Sequence, residues 1–242
     1  MLKHKLSSAF SNVALAGVLL FSAGYASAVV NSTQSRLVFN GDKTTQTLTV
    51  VNSDRLPALV QLWTDDSDPL SSPDRIATPL IVVPPVFKLA ASESRTLRVM
   101  LLSREGLPKD RERLYWMNIY QIPPNTQLDN PQDKKVILPL RIRLKVFVRP
   151  EGMPEPAENI GDSLLFTLKD RGSQNQALEV KNPTPYYMTL GAISLGGTAL
   201  SPTMISPKSS TTIAAPQIKK TGQLEWSTID DYGKAVSHKR QL

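Results

Sequence analysis

The chain has 242 residues, of which 40% are hydrophobic and 20% are charged, and its formal net charge is +7. This apolar content is enough for packed cores and argues against wholesale disorder. The absence of cysteine excludes a disulfide framework, a thiolate zinc site and a cysteine nucleophile. The two histidines, His4 and His238, are too few to favour a histidine-based catalytic triad or a multi-histidine metal site. We therefore expect no metal, no cofactor, no small-molecule substrate and no enzymatic activity.

Residues 1–28 have the pattern of a secretory signal peptide. Lys3 and Lys5 form a basic start, an apolar stretch runs from Val13 to Phe21, and Ala26-Ser27-Ala28 supplies the small residues of a cleavage site. The apolar stretch is too short to cross a bilayer, which needs roughly 20 residues of helix. We expect an exported protein in the periplasm. Export, and the lack of a basic run, argue against the nucleic-acid partner that a positive charge alone would suggest.

Between the signal and residue 150, the sequence alternates apolar and polar residues with a period of two. The segments are rich in Val, Leu, Ile, Thr and aromatic residues, and turn residues separate them. Apolar faces at this spacing pair into two packed sheets, so the sequence predicts an immunoglobulin-like β-sandwich over residues 29–150. The predicted strands are Thr33–Phe39, Thr45–Val51, Ala58–Thr64, Pro79–Val83, Thr96–Leu102, Leu114–Ile122 and Val136–Val148.

A proline-rich segment, Pro150–Pro156, interrupts the strand pattern and predicts an interdomain linker, because proline has no backbone N–H for a β-ladder. Short alternating segments follow and predict a second immunoglobulin-like domain over residues 153–242. The protein is therefore expected to be all-β, with two sandwiches. The predicted strands of the second domain are Leu164–Leu168, Leu178–Lys181, Tyr187–Leu195, Thr211–Ala214, Gln223–Ile229 and Ala235–Lys239.

The strand predicted over 136–148 is much longer than the usual five or six residues. Every even position in it is apolar, and a sandwich of this size is not expected to bury the whole row. Part of the row should overhang the core or lie at an edge, and Pro139 favours an edge. An exposed apolar edge is a template for a partner's strand. A long core strand that is covered along its whole length remains the alternative.

Eight segments follow one another behind the export signal: Ser35–Asn40, Val83–Pro85, Leu107–Glu112, Tyr115–Asn118, Ile122–Pro124, Arg143–Pro150, Asn182–Tyr187 and Asp230–Gly233. Taken in this order, they resemble the periplasmic chaperones of chaperone–usher pilus assembly. The resemblance covers nearly the whole chain after the signal. It implies a chaperone that binds pilus subunits, prevents their aggregation and delivers them to an outer-membrane usher.

The resemblance also implies two sites of subunit binding. Arg36 and Lys145 match the family's cleft cations, which hold the C-terminal carboxylate of a subunit; guanidinium can bind a carboxylate bidentately. Taken singly, each would be an ordinary solvated surface cation. The even positions of the long strand match the donor segment, which completes the subunit's sandwich; intramolecular core is the alternative for them. These positions are Val136, Leu138, Leu140 and Ile142.

A third set of residues, Glu112, Arg149 and Asp231, matches a trio that links the two domains through charge pairing in the family. The alternative is three unrelated surface charges. The short connection over 123–134 and the lack of cysteine resemble the short-loop branch. Pro139 departs from the pattern, because it removes a backbone donor from the donor strand.

Other hypotheses compete with the chaperone. An exported β-sandwich is also the form of a structural or adhesive component of a surface fibre. The exposed edge further suggests a self-capping homodimer of the free protein.

Three remaining signals have ordinary structural explanations. The run Asp65–Asp68 lacks the glycine and distal glutamate of an EF-hand loop and predicts a solvated turn. His238 is expected in a solvated tail or edge position. Tyr186, Tyr187 and Trp226 are expected in the core or at the domain interface rather than in a sugar site.

Overall fold

The computed structural model describes residues 30–75, 78–122, 139–216, 218 and 222–242. The predicted signal over 1–28 lies outside these residues, and so do Val136, Leu138 and the connection that suggested the short-loop branch. Within the described ranges, the regular structure consists of β-strands and one short 3-10 helix, Ile160–Ser163. No helix in this part of the chain is long and apolar enough to span a membrane.

The first domain is a sandwich of two sheets. Their strand orders are β1-β3-β7-β5 and β2-β9-β8-β4-β6. The inward side chains of both sheets form one core, which contains Phe39, Leu48, Val60 and Met117 at 0% exposure. The strands are β1 Val30–Ser32, β2 Arg36–Phe39, β3 Thr45–Asn52, β4 Ala58–Asp65, β5 Leu80–Val83, β6 Val86–Leu89, β7 Ser94–Leu101, β8 Arg113–Ile122 and β9 Leu140–Val148.

The second domain is also a two-sheet sandwich. One sheet has the order β10-β11-β15; the other has the order β13-β12-β16-β17, with β14 pairing β12. Its core is built around Trp226, whose ring lies 4.7 Å from that of Phe166. The strands are β10 Leu165–Lys169, β11 Ala177–Asn182, β12 Met188–Leu195, β13 Thr198–Ala199, β14 Met204–Ile205, β15 Ser209–Ala214, β16 Gln223–Ile229 and β17 Ala235–Gln241.

The all-β, two-domain prediction is confirmed, and most predicted strands are found within a few residues. The single strand predicted over 33–39 is wrong in part, because residues 30–39 form two strands in different sheets. Strand β1 pairs with β3, and strand β2 pairs in parallel with β9. Strand β6 was missed because Pro84 and Pro85 separate it from β5 and obscure its alternation. Strands β13 and β14 were not predicted, because two residues are too few to show an alternation of apolar and polar side chains.

Two predictions about polar residues are wrong in part. Asp66–Asp68 are exposed and lie outside the strands, as expected, but Asp65 ends β4 and is 3% exposed. Asn118 donates to its carboxylate and Arg143 forms an ion pair with it. His238 does lie on an edge strand, β17, but it is only 8% exposed. The core and interface positions expected for Tyr186 and Trp226 are found, at 6% and 3% exposure.

The imidazole of His238 fastens the 3-10 helix to β17. Nδ1 lies 2.8 Å from Oδ1 of Asp162, Nε2 lies 2.9 Å from Oγ1 of Thr228, and the ring stacks on Trp226 at 5.3 Å. Glycine at 161 permits this approach, because a Cβ there would stand 2.4 Å from His238 Nε2. The ring therefore contributes hydrogen bonds and packing to the second domain.

We expect His238→Ala to lower the free energy of unfolding by about 1–3 kcal/mol, since it removes the partner of Thr228 within a buried region. Chemical denaturation followed by Trp fluorescence measures this change. Lys239→Ala, at the neighbouring exposed position of β17, is the control and should change stability by less than about 0.5 kcal/mol. Equal effects of the two substitutions would contradict the assigned contacts.

Candidate functional site: an open strand edge and the interdomain cleft

The first half of β9 has a neighbouring strand on one side only, within the described residues. Strand β8 pairs with it from Leu140 to Val148, whereas β2 begins its pairing only at Lys145. The apolar row of β9 becomes steadily more covered along the strand: Leu140 is 38% exposed, Leu144 is 7% exposed and Val146 is fully buried. The described part of the strand is therefore not covered along its whole length. Pro139 precedes β9 rather than interrupting its described pairing.

The open edge ends at two cations. Arg36 opens β2 and is the register partner of Lys145 in the parallel pair, so the structure brings the two predicted cleft cations together. Arg36 Nη1 donates to the backbone oxygen of Ile229 in the second domain at 3.0 Å, which directs the guanidinium into the interdomain cleft. Lys145 Nζ lies 5.7 Å from the ring of Trp116.

Both cations are held in an environment that disfavours positive charge. Burial lowers the pKa of Arg36, although Asp231, Asp230 and Glu112 oppose this. Burial, followed by the repulsion from Arg36, lowers the pKa of Lys145. Among the described residues, Arg36 Nε is buried without a hydrogen-bond partner, and no carboxylate forms an ion pair with Lys145. Two desolvated, incompletely paired cations are suited to receive an anion.

Arg149 lies between two carboxylates at the domain junction and is 1% exposed. Its Nε donates to Glu112 Oε1 at 2.8 Å, and Nη1 and Nη2 donate to the two oxygens of Asp231, each at 2.7 Å. Nη1 of Arg149 also donates a hydrogen bond to Oδ1 of Asn40 at 2.8 Å. Because Asp231 belongs to the second domain and the others to the first, the guanidinium joins the domains.

The electrostatics of this trio combine burial with charge pairing. Burial alone would lower the pKa of Arg149, but its hydrogen bonds to Asp231 and the negative charge of Glu112 outweigh burial and raise that pKa. Burial raises the pKa of the Glu112 carboxyl, while Arg149 and the N–H of Tyr187, which donates to Glu112 Oε2 at 2.7 Å, favour its ionised form. Removing one charge would leave another buried without its partner.

Backbone contacts at the junction were not predicted from the sequence. The N–H of Glu112 donates to the oxygen of Pro185 at 2.9 Å, and the hydroxyl of Tyr186 donates to the oxygen of Pro154 at 2.8 Å. Asn40 donates to Glu155 across the junction at 2.7 Å. These bonds depend on the relative placement of distant segments, and no local sequence pattern indicates them.

The cleft between the domains contains a cavity of about 310 Å³ next to Arg36. Its lining combines the junction residues with the aromatic side chains of Phe147 and Tyr187, whose rings lie 5.8 Å apart. Within the described ranges, no group of three or more His, Asp or Glu side chains is arranged to hold a metal ion. The chemistry available at this cleft is the binding of an anionic group beside apolar and aromatic surface.

Comparison with known families decides the identity of the two sandwiches. Residues 29–154 match the model described as "Pili and flagellar-assembly chaperone, PapD N-terminal domain". Residues 160–240 match "Pili assembly chaperone PapD, C-terminal domain". The chain belongs to the PapD family of pilus assembly chaperones. The family suggested by the sequence motifs and the predicted immunoglobulin-like fold are thereby confirmed.

Individual PapD-family members are similar to the chain over nearly its whole length. The chaperone protein MrkB of Klebsiella pneumoniae is 35% identical over 227 residues, covering 92% of this chain and 94% of MrkB. The chaperone protein FimC of Escherichia coli K12 is 31% identical, covering 90% and 88%. A chain of the solved Salmonella enterica SafA pilin–SafB chaperone complex gives a TM-score of 0.75 at 28% identity, covering 90% and 99%.

We expect Arg149→Ala to lower the free energy of unfolding by about 3–5 kcal/mol, because Glu112 would stay buried without its cation. Urea denaturation measures this change. Arg111→Ala is the matched control, since Arg111 forms an exposed pair with Asp110, 3.0 Å away, and its loss should cost less than about 1 kcal/mol. A loss for Arg149→Ala no larger than the control's would show that the trio does not hold the domains together.

Proposed function

We propose that this protein is a periplasmic chaperone that binds fimbrial subunits by pairing the open edge of β9 with a subunit strand and holding the subunit's C-terminal carboxylate between Arg36 and Lys145. The observation that carries the proposal is the continuity of the two features. The open edge, Leu140–Leu144, leads directly to the register pair of cations. Membership in a family of pilus assembly chaperones supports the subunit as partner.

The geometry of β2 sets the direction of the bound strand. Strand β2 runs parallel to β9, and Arg36 is its first residue. A subunit strand that fills the position in line with β2 must end at Arg36 if its terminal carboxylate binds there. Its carboxyl end therefore points towards β2, and the strand runs parallel to β9. Parallel pairing in this position extends the sheet of the first domain into the subunit.

The apolar row of β9 supplies the second part of the interaction. Leu140 and Ile142 are incompletely covered in the free chain, and the sequence continues the row to Val136 and Leu138. Each such side chain contributes roughly 1.5–3 kcal/mol when fully buried, before the entropy of association is subtracted. Alternate side chains inserted into an incomplete subunit sandwich replace the strand that the subunit lacks. The subunit's aggregation-prone surface is covered at the same time.

The proposed role needs no reaction centre. Strand exchange with a following subunit is driven by a better-fitting strand, so release requires neither a nucleotide nor a cofactor. An outer-membrane usher is the proposed recipient of the complex. The same open edge would pair with a second copy when no subunit is present, and the free protein is proposed to cap itself as a homodimer.

Native mass spectrometry of the tagged protein isolated from its own periplasm tests the proposed function. We expect a one-to-one complex with a small exported β-protein. Arg36→Ala and Lys145→Ala should each abolish it while leaving the chaperone folded, because a hydrogen bond to a charged group is worth about 1.5–3 kcal/mol. Arg98→Ala, at an exposed position of β7 in the other sheet, is the control and should retain the complex.

The possible outcomes separate the parts of the proposal. A complex that survives both cleft substitutions would remove the carboxylate anchor and keep the chaperone. The absence of any partner, when fimbrial subunits are shown to be expressed, would contradict subunit binding. Recovery of the protein itself in washed surface fibres would favour a structural or adhesive component instead.

The lowered pKa of Lys145 predicts the pH dependence of subunit affinity. Carboxylate binding favours the protonated ammonium, so affinity is complete below that pKa and falls as the pH rises through it. We expect the fall to occur below pH 10.5, the ordinary lysine value, in titrations monitored by fluorescence anisotropy. Lys145→Arg should shift the fall to higher pH, because guanidinium stays protonated. An identical profile for both proteins would exclude Lys145 as the titrating group.

A further inference from the structure

The outward face of the open edge carries two long cationic side chains. Arg141 and Arg143 alternate with the apolar row over the half of β9 that lacks a second neighbour in the described residues. Charged residues on an edge strand normally hinder pairing with another strand, and many proteins use them to protect edges. An edge that receives a partner strand must keep such side chains out of the way.

Both guanidinium groups are turned back over their own sheet. Arg143 lies over the ring of Trp116, with Cζ 4.6 Å from the ring centroid, and Arg141 lies over Trp63 at 4.7 Å. Trp116 belongs to β8 and Trp63 to β4, so each arginine points away from the open edge. Arg141 is held further by Asn118 of β8, whose Oδ1 accepts from Nε at 2.8 Å. The Pro69 oxygen accepts from Nη1 at 2.7 Å, and Ser71 Oγ accepts from Nη2 at 3.2 Å.

Asp65 is the carboxylate towards which both arginines turn. Its Oδ1 accepts from Arg143 Nη2 at 2.5 Å, and its Oδ2 lies 3.7 Å from Arg141 Nη2. Asn118 Nδ2 donates to the same Oδ2 at 2.7 Å, which links the two arginine contacts. The Asp65 side chain is 2% exposed while those of the arginines are 23% and 21% exposed. A buried anion two strands away from the edge thus holds two flexible cations.

We propose that Asp65 is a positioning residue that keeps Arg141 and Arg143 off the open edge of β9, so that a subunit strand can pair there. This inference rests on the proposed function, since it explains how that edge stays accessible. Asp65 does not contact the bound strand. Without its charge, Arg143 loses its hydrogen-bonded partner and Arg141 loses its ion pair, although Arg141 keeps its other hydrogen bonds. Arg143 foremost then extends over the edge, where a partner strand would have to displace it.

A purely structural role for Asp65 makes a different prediction. If the carboxylate only stabilised the sandwich, its loss would weaken binding through loss of folded protein, and removing the arginines as well would not restore binding. If Asp65 acts by holding the arginines, neutralising them in the same molecule restores binding. Rescue therefore separates the two roles.

The test uses the full chain after its signal and a fluorescent peptide in which valine alternates with serine and which ends in a free carboxylate. We expect Asp65→Asn to bind this peptide about tenfold more weakly than the unmodified protein. Asp65→Asn/Arg141→Gln/Arg143→Gln should bind within about twofold of it, since glutamine keeps the stem and removes the charge. Thermal unfolding of each variant monitors the fraction folded.

Asn118→Ala provides the same test if Asp65→Asn does not fold. It removes one hydrogen bond of Arg141, while Asp65 stays paired with Arg143 and the Pro69 oxygen and Ser71 Oγ still accept from Arg141. A smaller loss of affinity is therefore expected, reversed by adding Arg141→Gln. Unchanged affinity of folded Asp65→Asn, or a loss that the arginine substitutions do not reverse, would overturn the inference and leave the proposed function intact. If the unmodified protein does not bind the peptide, strand pairing itself and this inference both fail.

Discussion

The N-terminal strand leaves one sheet and joins the other between Ser32 and Arg36, and this division creates the open edge of β9. If the residues before Arg36 also paired with β9, they would cover its edge from Leu140 to Leu144. They leave this edge open because β1 pairs with β3 in the other sheet. The same crossing begins β2 at Arg36, so the end of the open edge and the first cleft cation coincide. One feature of strand pairing thus sets both the extent of the open edge and the position of the cation at its end, on which the proposed function depends.

The cations near this edge differ in how fully hydrogen bonds and ion pairs neutralise them. Arg149 is completely enclosed by hydrogen bonds and ion pairs, which suits a residue that joins two domains. Arg36 and Lys145 are neighbours of like charge whose pKa values are lowered by burial. Such an arrangement lowers the stability of the free protein and is relieved by an anion. Natural sequences retain local conflicts of this kind mainly at binding sites.

The sequence allowed the sandwiches, the cleft cations and the junction trio to be predicted, because strand alternation is a local pattern and the motifs are continuous segments. It failed where the outcome depends on distant segments. Asp65 lies in an acidic run that resembles a turn, yet its environment comes from arginines more than 70 residues away. His238 is buried by the 3-10 helix of residues 160–163. The division of the N-terminal segment into β1 and β2 depends on which sheet each part joins. The alternation of apolar and polar residues predicts a strand but does not indicate its sheet.

Hydrogen exchange at the backbone amides of Leu140–Leu144, compared between the free chaperone and its complex with a co-isolated subunit, tests the central claim most directly. In the free protein, diluted until it is monomeric, the amides that do not bond to β8 exchange quickly if the edge is open. The account predicts that these amides become protected in the complex, together with slower exchange at Arg36. Protection confined to other surfaces, with the amides of this edge unchanged, would contradict the account.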